Sequence, residues 1–70
     1  MEKREILEIL ADVSEDLALE LYSGFDEEDY VHLDKSLVRL IRASDALTQE
    51  GVPVPFTVSE VIRIFKKAQH

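Results

Sequence analysis

Cysteine and tryptophan are absent from this chain, and glycine and proline occur only twice each. Without cysteine, no disulfide can staple the fold and no thiolate can serve as nucleophile or metal ligand. The same absence fits a reducing compartment. No apolar run approaches the ~20 residues that a membrane-spanning helix requires. The opening stretch Met1-Glu2-Lys3-Arg4-Glu5 leads into no apolar segment of signal-peptide type. The expectation is a cytoplasmic protein with no membrane partner.

Positive charge is the scarce kind. Eight Lys and Arg stand against fifteen Asp and Glu, for a net charge of −7. That balance argues against direct contact with nucleic acid or an anionic membrane, since both require a clustered basic surface. The charge is also unevenly spread. Residues 1–34 carry twelve acids against Lys3 and Arg4, whereas residues 35–70 carry six bases against Asp45, Glu50 and Glu60. The two halves therefore attract each other, or attract the opposite half of a second copy.

Seventy residues make one domain, 1–70. A core of this size supplies roughly 3–5 kcal/mol, so small folds usually gain support from disulfides, metal or a second chain. With disulfides excluded and metal disfavoured, association is the expected reinforcement. The apolar fraction, 46%, is that of a folded domain rather than a disordered acidic tail.

Gly24 and Gly51 divide the chain into three helical segments. The first runs from Glu2 to Ser23. Ile6, Leu10, Val13, Leu17 and Leu21 recur at spacings of three and four and predict one buried row. Beside it, Leu7, Ala11, Ser14, Ala18 and Tyr22 form a second row, small enough at its centre for another helix to approach closely. Gly24 is expected to end the helix in the left-handed conformation.

The second segment is predicted as one helix from Glu27 to Glu50. Asp26 is a suitable N-cap, and Glu27, Glu28 and Asp29 complement the helix dipole. Phe25 and Tyr30 occupy hydrophobic-staple positions. Leu33, Leu37, Leu40, Ser44 and Leu47 form a seam, widened by Tyr30 and Ile41. Gly51 closes the helix in a Schellman pattern, with Val52 placed against Leu47. The strap Gly51-Val52-Pro53-Val54-Pro55-Phe56 must be extended and stiff. A third helix, Val58–Ala68, follows a capping box at Thr57-Val58-Ser59-Glu60, with Phe56 and Val61 as staple. Its buried face is Val58, Val61, Ile62 and Phe65. Lys66 and Lys67 suit its last turn. The fold class is thus all-α, a hairpin of two long helices plus a short third, forming a three-helix bundle expected to dimerise.

Candidate binding residues fall into three groups. Lys35, Arg39 and Arg42 lie within roughly 60° on the second helix. In an antiparallel hairpin they stand level with Glu8, Asp12 and Glu15, so the expectation is helix–helix ion pairs, with a docking patch as the functional alternative. The acidic first half is either a solvated face or a surface for a basic protein, including mimicry of a nucleic-acid backbone. Leu19 projects to the polar side near Glu8, Asp12 and Glu15, as Ile64 does on the third helix. Together with the wide first-helix arc, they indicate more apolar surface than three short helices can hide. Tyr22, Phe25 and Tyr30 are expected to close one end of the core.

Chemistry has little to stand on. His32, with Glu28 and Asp29 a turn before it, lacks the further ligands a metal site needs. A titrating surface histidine is the expected role. His70 is either native or the start of a purification tag. No nucleophile–base set and no glycine-rich phosphate loop is present. No cofactor and no enzyme activity are expected. The reading is a small acidic protein–protein interaction module, a dimeric adaptor, regulator or assembly subunit whose first partner is itself. The alternative is an acidic inhibitor that occupies a nucleic-acid-binding surface.

Overall fold

A computed structural model describes residues 1–68; His70, and any role assigned to it, lies outside the described residues. The chain forms three α-helices, α1 (Lys3–Gly24), α2 (Asp34–Gln49) and α3 (Phe56–Ala68), with a 3-10 turn over Glu27–His32. No strand occurs among the described residues. The architecture is a three-helix bundle, longer than it is wide at 39 × 21 × 19 Å.

α1 and α2 make an antiparallel hairpin. Lys3 pairs with Glu50 at one end. At the other, the Tyr30 hydroxyl donates to the Leu21 carbonyl at 3.2 Å. α3 runs in the same direction as α1. Its first residue, Phe56, stands beside Leu19 and Tyr22, and its last, Ala68, beside Asp26 and Val31. It therefore covers only the C-terminal half of α1. The core reflects this, gathering Ala18, Leu21, Tyr30, Leu37, Leu40, Val58, Val61 and Phe65. In α1 no residue before Ser14 is buried.

The α2 seam is as the spacing predicts, with Leu37, Leu40 and Leu47 buried and Leu33, Ile41 and Ser44 half-buried. The Schellman closure also forms. Gly51 has φ 73°, Val52 N–H reaches Leu47 O at 2.9 Å, and Gly51 N–H reaches Thr48 O at 3.1 Å. In the strap, Val54 packs against the core.

Several local expectations differ from the structure. In α1, Ser14 and Ala18 of the small row are buried and Leu7 and Ala11 half-buried, while of the large row only Leu21 is buried and Leu10 and Leu17 are half-buried. Ile6 and Val13 are exposed. Close helix approach favours Ala and Ser at the contact, and Ile6 and Val13 lie around α1 on the side away from α3. Gly24 is the last helical residue and has no positive φ. The chain leaves α1 through Phe25 in extended conformation, so glycine's freedom is not used there.

The second helix does not run unbroken from residue 27. Asp29 N–H bonds Asp26 O, Leu33 N–H bonds Tyr30 O, and the chain bends at Leu33 (φ −109°, ψ 25°) before α2 begins. The tighter i→i+3 turn packs against α3 while its Tyr30 ring enters the core. Of the three aromatics expected to close that end, only Tyr30 is buried; Tyr22 and Phe25 are exposed, and no Phe25 staple is formed. α3 starts two residues early, because the Pro55 carbonyl accepts Val58 N–H and Ser59 N–H. Thr57 is then inside the helix, Glu60 turns to Arg63, and Phe56 is 78% exposed instead of stapling Val61. Ile64, expected on the polar side, packs half-buried on the core.

Candidate functional site

The helix directions sort the candidate residues onto two different surfaces. On α1, Leu19 and Tyr22 line a cleft with Phe56, Thr57 and Glu60 of α3, about 230 Å³ in volume. Glu8, Asp12 and Glu15 fall within ~40° of Leu19 at 100° per residue, so they extend this side of α1 toward its N-terminus. All three are exposed. Leu10, about half a turn away around the helix, instead lines a groove against Arg39, Arg42, Ala43 and Ala46 of α2.

This geometry rules out the expected ion pairs. Lys35, Arg39 and Arg42 stand on α2 at or beyond the Leu10 groove, while Glu8, Asp12 and Glu15 lie around the far side of α1. Glu8 pairs within its own helix, 3.7 Å from Arg4. Among the described residues, no ion pair reaches Lys35, Arg39 or Arg42. An antiparallel hairpin brings residues level without bringing them face to face.

The first surface is an apolar floor with acidic flanks. Leu19 is 48% exposed and Tyr22 and Phe56 more so. Glu60, at the rim, is held by Arg63, whose Nη2 lies 2.9 Å from Oε2 and whose Nε lies 3.3 Å from Oε1. That hydrogen bond, aided by the guanidinium charge, holds the Glu60 carboxyl below its ordinary pKa. Glu60 therefore stays ionised to more acidic pH than a free glutamate.

The second surface is the open side of the hairpin, turned away from α3. It presents Ile6, Ile9 and Val13 of α1, the half-buried Leu10 and Leu17, and the basic row of α2. Val13 is 58% exposed. Asp16, also exposed, borders the apolar stripe on its outer edge, and the exposed Glu20 continues its line about two turns beyond Val13. The sequence signal for this surface was present in the doubled apolar rows of α1; which row turned outward depended on which side of the hairpin α3 covers.

Other hollows are open and lack chemistry. One, about 560 Å³, lies among Asp26, Glu28, Val31 and Ala68. His32 is exposed and borders a hollow with Leu33, Asp34, Lys35 and Ser36. No cluster of three or more His, Asp or Glu able to hold a metal occurs among the described residues. Tyr30, buried against the Leu21 carbonyl, has its phenol pushed above the ordinary value by desolvation first and by Tyr22 second. It is a core strut rather than a reactive group. No described helix is long and apolar enough to cross a membrane.

Comparison with known families, curated proteins and solved structures finds no match for this chain.

Proposed function

We propose that this chain is a non-enzymatic protein–protein interaction module that works as a dimeric adaptor. The observation that carries the reading is the pairing of exposed apolar side chains with charged flanks on two separate surfaces. Leu19, Tyr22 and Phe56 line a cleft flanked by carboxylates. Ile6, Ile9 and Val13 flank an unpaired basic row. Scattered exposed apolar residues are ordinary, but contiguous ones rimmed by charge mark docking surfaces.

The α1–α3 cleft suits a cationic amphipathic helix from a partner protein. Its apolar stripe would cover Leu19, Tyr22 and Phe56, and its basic flanks would meet Glu8, Asp12 and Glu15. Charge of that sort governs encounter rate and partner choice more than raw affinity. An apolar floor favours this adaptor role over mimicry of nucleic acid, in which carboxylates alone would make the contact.

The test uses a designed helical peptide with a leucine stripe between lysine flanks. Titration should shift the amide resonances of Leu19, Tyr22, Phe56 and Thr57, and added salt should weaken the effect. The same peptide with glutamate flanks should leave them unmoved. Equal response to both peptides, or to neither, counts against the reading.

A further inference from the structure

We infer that the open face of the α1–α2 hairpin binds a second copy of this chain, so that two hairpins close into a four-helix layer about a two-fold axis. This rests on the interaction-module reading and adds the face, the occupant and the register.

The occupant follows from how charge is laid across that face. Asp16 borders its α1 side, Glu20 continues the line of Ile9 and Val13 toward the C-terminus of α1, and Lys35, Arg39 and Arg42 follow its α2 side, with Arg39 and Arg42 at the groove. Ile6, Ile9 and Val13 fill the α1 part between. The α1 side is therefore apolar with an acidic end, and the α2 side is basic. A two-fold axis parallel to the helices sets α1 of each copy against α2 of the other. Isologous contacts of this kind need a surface complementary to itself, and this surface meets that condition. Every neighbouring helix pair across the contact is then antiparallel, as in up-and-down four-helix bundles.

The register agrees. An axis along the helices preserves height, so the levels within one hairpin are also the levels across the contact. Lys3 stands level with Glu50, and Leu10 with Ala43. Continued along both helices, that register sets Asp16 level with the stretch between Lys35 and Arg39. Glu20 falls about half a turn beyond Lys35. Val13 then lies level with Leu40 and faces the partner's groove near Arg39 and Arg42. Ala43 and Ala46, small and at the groove, leave room for side chains of the other copy. Among the described residues no ion pair reaches the basic row, and this arrangement supplies partners from the second copy.

The test is a charge exchange read by sedimentation equilibrium. One variant carries Asp16→Lys with Glu20→Lys; the other carries Lys35→Glu with Arg39→Glu. All four positions are exposed, so helical content and melting should stay close to the parent. The parent should dimerise, and each variant alone should associate at least about tenfold more weakly, because like charges then oppose each other. Mixed in equal amounts, the two should form a heterodimer of near-parental affinity. A parent that stays monomeric at high micromolar concentration overturns the inference, as does a dimer that both variants keep intact. Restored binding in the mixture is the result a merely structural role for these residues would not give. The outcome is separable from that of the peptide titration, which probes the opposite side of α1.

Discussion

Two glycines that read alike in sequence play different parts. Gly51 sits at φ 73° and closes α2, whereas Gly24 is an ordinary helical residue with nothing within 4 Å of where a Cβ would be. Gly24→Ala should therefore leave stability unchanged or raise it by about 0.4–1 kcal/mol, by restricting the unfolded chain and favouring helix. Gly51→Ala forces a side chain into the left-handed region and should cost about 1–2 kcal/mol. Urea denaturation of both variants separates the cases, and a loss at Gly24 equal to that at Gly51 would contradict the assignment. The sequence distinguished them poorly because a glycine near the end of an apolar period fits both roles. What set Gly51 apart was the apolar Val52 and the proline after it, which together complete the Schellman pattern. Gly24 is followed by Phe25 and an acidic cap, and the extended Phe25 supplies the exit from the helix.

At the scale of elements, the hairpin, the strap and α3 were legible because apolar spacing and turn chemistry agree over many residues. The 3-10 turn at Glu27–His32 was not. Six residues hold too few apolar positions to tell a three-residue period from one of 3.6, and the same caps serve both. The turn opens with a capping box between Asp26 and Asp29, one arm of which is Asp29 Oδ2 accepting Asp26 N–H at 3.0 Å. Removing that acceptor in Asp29→Ala should cost about 1 kcal/mol, the usual worth of such a cap. The neighbouring Glu28→Ala should change stability by less than about 0.5 kcal/mol, as an exposed site away from special features does. Thermal melts of the two variants check this, and equal losses would remove the capping role. The same reasoning explains the shifted start of α3. Pro55 already satisfies two of the first amides, so the hydroxyl of Thr57 has no orphan donor to capture.

At the scale of the molecule, the bundle is unevenly covered. The core lies where α3 crosses the hairpin, while Ile6 and Ile9 stand exposed on the side of the hairpin that α3 does not cover. This asymmetry was hidden in the sequence, which shows that α1 has too wide an apolar arc but not which part is left over. The proposed contact with a second copy falls on that part. Amide exchange along α1 should then depend on protein concentration, with protection over Ile6–Val13 rising as the dimer fills and protection at Leu37 and Leu40 changing less. Exchange that is independent of concentration in both stretches would separate the exposed stripe from self-association.

Because the strap doubles back, α3 points the way α1 does, and Lys3 and Ala68 are carried to opposite extremes of the rod. About an axis along the helices, two copies would place both Lys3 residues at one pole and both Ala68 residues at the other. Fluorophores attached near each would sit as a matched couple at either tip, with the full length of the particle between unlike couples.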